Sequence, residues 1–162
     1  MLTTTAGESH AQLGFFSRSK VETISTTDLH AILEKQLQIE ADAKQAGKEV
    51  PQADFVVVDV RSAAEVNVSI IPGAITKAEH EKNRQRFQDR TVIPYCTVGG
   101  RSGAYAKQLA KNGVKVKNYE GSILKWVAAE LPLVTLKGEP TNRVHTYSNR
   151  YRVPAKYEQV TQ

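Results

Sequence analysis

The chain has 162 residues, 40% of them hydrophobic and 24% charged, with a formal net charge of +5 at pH 7. That length suits one compact α/β domain with tails, and the composition excludes a disordered or fibrous chain. Apolar runs are short, the longest near the centre being Phe55-Val56-Val57-Val58, so no bilayer span and no membrane partner are expected.

In chain order, residues 1–20 lack an apolar signal core and are expected to be a disordered lead-in. Their Ser/Thr content with Arg18 and Lys20 leaves an organellar destination open. Val21 to Ile24 is a short β-type run. Ser25-Thr26-Thr27-Asp28 then offers side-chain oxygens to the free N–H groups of a helix start. Leu29, Ile32, Leu33 and Leu37 recur at helical spacing, and Gly47 with Pro51 marks the end. Phe55 to Val60 is a nearly unbroken β-branched run, as a central strand buried on both faces requires. A short helical turn over Arg61 to Glu65 and a turn at Ile71-Pro72-Gly73-Ala74 follow. The charged stretch from Lys77 to Gln88 predicts a solvent-facing helix.

Thr91 to Tyr95 predicts a second buried strand, running into Cys96-Thr97-Val98-Gly99-Gly100-Arg101-Ser102-Gly103. Helical spacing resumes at Ala104, Tyr105, Leu109 and Ala110, with Gly113 as the stop. Lys115 to Tyr119 is a short strand, and a helix carrying Ile123, Leu124, Trp126 and Val127 closes at Pro132. Alternating strands and helices imply a parallel sheet with helices on both faces and ligand sites beyond the carboxyl ends of its strands. The expected organisation is an α/β domain over residues 21–135 and a basic extension over 136–162, where periodicity is too weak to assign elements. From Lys137 onward five Lys/Arg stand against two Asp/Glu. Arg143, Tyr147, Arg150, Tyr151, Arg152, Lys156 and Tyr157 give that tail a basic, aromatic character. It carries no nucleic-acid motif, so a solvated or back-packed extension is the expectation.

The chain has one cysteine. That excludes an intramolecular disulfide, and neither CxxC nor Cys/His spacing suggests zinc; no metal or organic cofactor is expected. A free thiol fits a reducing compartment, the cytoplasm being the expected one. A strand that ends in Cys96 and turns through Gly99 and Gly100 into a helix lets successive backbone N–H groups converge on one spot as an anion nest. The helix dipole and Arg101 add to that field. Each effect favours thiolate over thiol, so Cys96 is the expected nucleophile. The glycines are expected to supply positive φ and close backbone approach. Ser102 either caps the helix or gives its hydroxyl to the anion, two roles the residues leave open. His10, His30, His80 and His145 are scattered without ligand-like spacing and are expected in surface or structural roles.

Asp59-Val60-Arg61, the Ile71-Pro72-Gly73-Ala74 turn, the Tyr95 to Ser102 loop, and Glu120-Gly121-Ser122 before Trp126 stand in an order and spacing that resembles the rhodanese family, over roughly Val21 to Pro132. The resemblance implies a five-stranded parallel sheet flanked by helices on both faces. It also implies Cys96 as the persulfide-bearing nucleophile, and Thr97, Val98, Gly99, Gly100 and Arg101 as the loop that binds the anion, with Arg101 its terminal cation. Asp59, Arg61 and Glu65 are implied as supports at the neighbouring strand end, with a scaffold ion pair as the competing role. Family members commonly have Gly-His before the Ile-Pro-Gly-Ala turn, whereas this chain has Ser69-Ile70.

The resemblance implies a sulfurtransferase that moves sulfane sulfur from a small anionic donor such as thiosulfate, or from a persulfide, to a protein or small thiol or to cyanide. Two other functions compete. Cysteine-dependent phosphatases and arsenate reductases of related fold use a cysteine and an arginine around a larger oxyanion, but with one loop residue more than the six from Cys96 through Arg101. A non-catalytic rhodanese-like module would use the tail for protein contact, against which the intact nucleophile argues.

Overall fold

The computed structural model describes residues 20–162. The lead-in expected over residues 1–20, and His10 with it, lies outside the described residues save for Lys20.

The two β-branched runs form the centre. Strands β2 (Phe55–Asp59) and β4 (Thr91–Tyr95) pair in parallel along their whole length, and all but the first residue of each is buried. A run with no polar alternation provides for that two-sided burial. Strand β3 (Ile75–Thr76) lies parallel on the other edge of β2, while β1 (Glu22–Thr23) and β5 (Lys117–Asn118) form their own parallel ladder. The expected five-stranded sheet is therefore interrupted. It consists of a three-stranded and a two-stranded ladder that meet at a single parallel bridge, Val92 with Val116.

Pro94 is the physical reason for the break. On the β5 side of β4, Val92 donates to the Lys115 carbonyl at 2.9 Å and the Pro94 carbonyl accepts from Tyr119 at 3.0 Å. Between those bonds Pro94 has no N–H to offer, and the ladder lapses.

Helices cover both faces. Helix α1 (Thr26–Gln45) starts at Ser25, whose hydroxyl accepts from the Asp28 N–H at 3.0 Å. Its buried stripe includes Leu29 and Leu33 but not Leu37, which is half exposed. With α2 (Ala63–Val68) and α5 (Ser122–Ala128), α1 encloses a core containing Val57, Ile93, Tyr95, Ile123 and Trp126. On the opposite face, α4 (Gly100–Lys111) packs Tyr105 and Leu109 against Val56, Val58 and Val92. The expected solvent-facing helix from Lys77 to Gln88 is α3 (Lys77–Lys82) followed by a 3-10 turn (Arg84–Phe87), and it turns two side chains inward. Phe87 joins the α4-side core, and His80 shares a hydrogen bond with the Tyr105 hydroxyl at 2.9 Å. Ile70 is buried and bridges Val134. Among the described residues no helix is long and apolar enough to cross a membrane.

The extension packs back onto the domain. Strands β6 (Leu133–Val134) and β7 (Pro140–Thr141) form an antiparallel pair, and β8 (Arg143–His145) pairs in parallel with β9 (Glu158–Val160). Val144 and Tyr157 enter the α1-side core, and the Tyr157 hydroxyl donates to the Leu131 carbonyl. Strands of two or three residues leave no periodicity, which is why the residues alone did not assign them. If the extension is part of the cooperative fold, Val144→Ala lowers unfolding free energy by about 2 kcal/mol, from two lost methyls and the cavity left behind. Urea denaturation checks this; an unchanged midpoint would show that residues 136–162 are an independent tail.

Candidate functional site

Cys96 leaves the carboxyl end of β4 and is 1% exposed. The Gly99 N–H donates to its sulfur at 3.1 Å. Burial pushes the thiol up. The amide and hydroxyl of Ser102 and the amides of Gly99 and Val98 pull it down further, so the balance falls below the ordinary thiol value. The positive end of the twelve-residue helix α4 points the same way. The Ser102 hydroxyl also lies 3.1 Å from the Gly99 carbonyl. Having one proton, it serves the sulfur or that carbonyl, not both at once.

The two loop glycines differ in what they do. Gly99 adopts φ +95°, and a Cβ there would lie 2.6 Å from the Glu120 carbonyl oxygen, so only glycine fits. Gly100 has open space around it and no positive φ. The expectation that both glycines meet a steric demand is corrected to Gly99 alone; Gly100 is the first residue of α4.

Arg101 is anchored by hydrogen bonds while its charge still acts on Cys96. Its Nη1 and Nη2 donate to the two oxygens of Glu65 at 2.7 and 2.8 Å, and Nη2 donates also to the Thr97 hydroxyl at 2.9 Å. Thr97 in turn donates to Glu65 at 2.9 Å. Glu65 is buried at the first turn of α2, where it accepts from the Ser62 amide at 2.9 Å and the Ser62 hydroxyl at 2.8 Å in a capping box. Burial alone would push its carboxyl up. The hydrogen bonds from Arg101, Ser62 and Thr97 instead hold it well below the usual carboxylate range. Glu65 is thus hydrogen-bonded directly to two loop residues, Thr97 and Arg101.

Asp59 and Arg61 do something else. Their side chains are fully buried and joined by Nε–Oδ1 and Nη2–Oδ2 contacts of 2.9 and 2.7 Å. Arg61 gives two further N–H groups to the carbonyls of Ser69 (2.6 Å) and His145 (3.3 Å). Burial would lower the guanidinium pKa, and the charge and hydrogen bonding of Asp59, with smaller contributions from Tyr95 and Glu65, together raise it. This is the scaffold ion pair, linking the end of β2 to α2 and the extension.

Ser122 was missed as a site residue, although the Glu120-Gly121-Ser122 motif was in view. It is buried, holds φ +53°, accepts the Cys96 N–H at 3.0 Å, and its hydroxyl lies 3.8 Å from the Cys96 sulfur and 3.1 Å from the Tyr119 carbonyl. The sequence signal was a small polar residue opening a helix just beyond a neighbouring strand. Among the described residues no group of three His, Cys, Asp or Glu side chains is placed to hold a metal ion. Two open clefts of about 430 and 490 Å³, lined by α1, residues 50–55 and parts of the strands, do not include Cys96 or its loop.

A lone cysteine seated on converging amides at the end of a parallel strand defines the class, an α/β domain with a nucleophile-bearing anion loop. The rhodanese-like domain model matches residues 41–129, and the chain belongs to that family. A sulfurtransferase from Allochromatium vinosum is 33% identical over 89 residues, which cover 52% of this chain and 83% of that protein. Among solved structures, a protein of unknown function from Rhodopseudomonas palustris, described as a possible tyrosine phosphatase, has a TM-score of 0.54. It is 26% identical, over 70% of this chain and 85% of that one. Thiosulfate sulfurtransferase from Pseudomonas aeruginosa shares the fold, with a TM-score of 0.52 and 20% identity over 76% of this chain and 21% of that one.

Ser122→Ala would keep the positive φ and orphan the buried Cys96 N–H, costing about 1–3 kcal/mol in urea unfolding. Ser122→Gly loses the same bond but relieves the backbone, and is expected to be less destabilised by about 1 kcal/mol. The reverse order would mean that the left-handed turn at Ser122 carries no strain.

Proposed function

We propose that this protein is a sulfurtransferase that carries sulfane sulfur as a persulfide on Cys96. The observation that carries the reading is the Cys96 sulfur itself, buried yet faced by amides that favour its thiolate. The sulfurtransferase relative supports a general role of this kind. In the first half-reaction the thiolate attacks the sulfane sulfur of thiosulfate or of a persulfide; the donor's S–S bond breaks and sulfite or a thiolate leaves. In the second, an acceptor nucleophile attacks the outer sulfur and Cys96 leaves as thiolate. The outer sulfur lies about 2 Å beyond the buried one, which brings it to the acceptor. The loop amides of Thr97 to Ser102 would hold the loaded anion, while Glu65 keeps the loop in shape.

With one cysteine in the chain, release needs an external thiol, on a protein or a small molecule, or cyanide. A reducing compartment such as the cytoplasm suits this chemistry. The phosphatase reading has a structural neighbour in its favour. Against it, three of the five N–H donors of Arg101 are already committed to Glu65 and Thr97, leaving no free fork for a phosphoryl group.

Incubation with thiosulfate followed by intact mass spectrometry tests the proposal. A gain of one sulfur atom, removed by reductant and missing in Cys96→Ala, is expected. Because the folded thiol pKa is lowered, the thiolate persists to lower pH, so the loading rate should reach half its plateau at a lower pH than the reaction of an ordinary free thiol with the same donor. Phosphate release from an aryl phosphate, with no sulfur gain from thiosulfate or a persulfide donor, would overturn the reading.

A further inference from the structure

Tyr147 is 69% exposed, yet its backbone is held at φ +64°, in the left-handed region that a bulky residue avoids. The surroundings are built to keep it there. The Tyr147 N–H donates to Nδ1 of buried His145 at 3.1 Å, and the Ser148 N–H donates to the Thr146 carbonyl at 2.7 Å. Gln159 donates to the Thr146 hydroxyl at 2.7 Å and to the Tyr151 carbonyl at 2.9 Å. The His145 carbonyl receives Arg61, whose partner Asp59 lies opposite Tyr95 in the β2–β4 ladder. The turn is therefore tied, through a buried ion pair, to the strand end that presents Cys96.

What this turn displays is an aromatic ring at the site. The Arg101 guanidinium lies 5.6 Å from the Tyr147 ring centroid. Val98, whose amide faces the Cys96 sulfur, exposes half of its own surface on the same loop. Burial explains neither side chain, and an outlier conformation that its neighbours over-determine points to use rather than to packing. The family match ends at residue 129, so it assigns Tyr147 nothing.

We propose that Tyr147 is a specificity-determining residue. With Val98 it forms an apolar rim beside Cys96, on which the carbon framework of an organic thiol acceptor packs, favouring such acceptors over cyanide. The inference rests on the sulfur-transfer reading and deepens it by naming the acceptor class. The acceptor thiolate attacks the outer sulfur, the bond from that sulfur to Sγ breaks, Cys96 leaves as thiolate, and the acceptor departs as a persulfide. No oxidant or reductant enters. Cyanide undergoes the same displacement but has no framework to rest on the rim.

The test discharges sulfur-loaded wild type, Tyr147→Ala and Tyr147→Phe with benzyl mercaptan and with cyanide, following the remaining persulfide by intact mass. Tyr147→Ala is expected to slow discharge to the thiol about threefold to tenfold, the scale of one aromatic contact, while discharge to cyanide stays within about twofold. Tyr147→Phe should keep the wild-type ratio. Equal slowing for both acceptors, as a folding defect would give, or no slowing at all overturns the proposal. Should no variant load sulfur, the sulfur-transfer reading has failed, and the rim is read instead by alkylation of Cys96, the one cysteine of the chain. The ratio of N-phenyliodoacetamide to iodoacetamide rates should then fall in Tyr147→Ala and hold in Tyr147→Phe. A ratio unchanged by Tyr147→Ala overturns the rim.

Discussion

The carboxylate of Glu65 accepts five hydrogen bonds, two from Ser62, one from Thr97 and two from Arg101. Through them it joins the start of α2 to both ends of the Cys96 loop. A buried charge is tolerated only when its lone pairs are met in this way, so the loop cannot drift without leaving an uncompensated anion behind. Arg101 remains partly exposed, and water screens that side of the pair. The consequence is positional more than energetic, since it keeps the amides of Val98, Gly99 and Ser102 trained on one sulfur. The field at Cys96 then comes mainly from fixed dipoles, which do not move when the sulfur gains or loses charge.

A second buried pair, Asp59 with Arg61, performs the equivalent task for the C-terminal extension. Arg61 reaches the Ser69 carbonyl on one side and the His145 carbonyl on the other. The end of β2, the end of α2 and the start of the Tyr147 turn therefore share one cation. Arginine suits that role because its planar donors serve several acceptors in fixed directions. A basic tail is in this way made part of the wall around the site.

Much of this was legible in the sequence wherever a single residue type has a single physical use. Ser25 marks a helix start, the Phe55 to Val60 run marks a strand buried on both faces, and Gly99 marks a backbone that no Cβ could follow. The illegible parts depend on partners distant in the chain. Pro94 was in plain view, but its effect rests on which edge of β4 its missing N–H would have faced. Gly100 looked equivalent to Gly99 until the Glu120 carbonyl was seen to crowd only one of them. Ser122 and Tyr147 acquire meaning only when the fold brings them to Cys96 and Arg101.

The burial of Cys96 follows from the same arrangement. An exposed thiolate would be stabilised by water and would be open to any electrophile or oxidant. Here the sulfur is 1% exposed and relies on amides for the solvation that water would otherwise supply. On the proposed sulfur-carrier reading, that setting favours small donors able to reach the loop and shields the inner sulfur once loaded. On the same reading, chemistry falls to the outer sulfur, at the rim where Val98 and Tyr147 are exposed. Reactivity and selectivity are thus held by different parts of the chain, the first by the loop between β4 and α4, the second in part by a turn some fifty residues later.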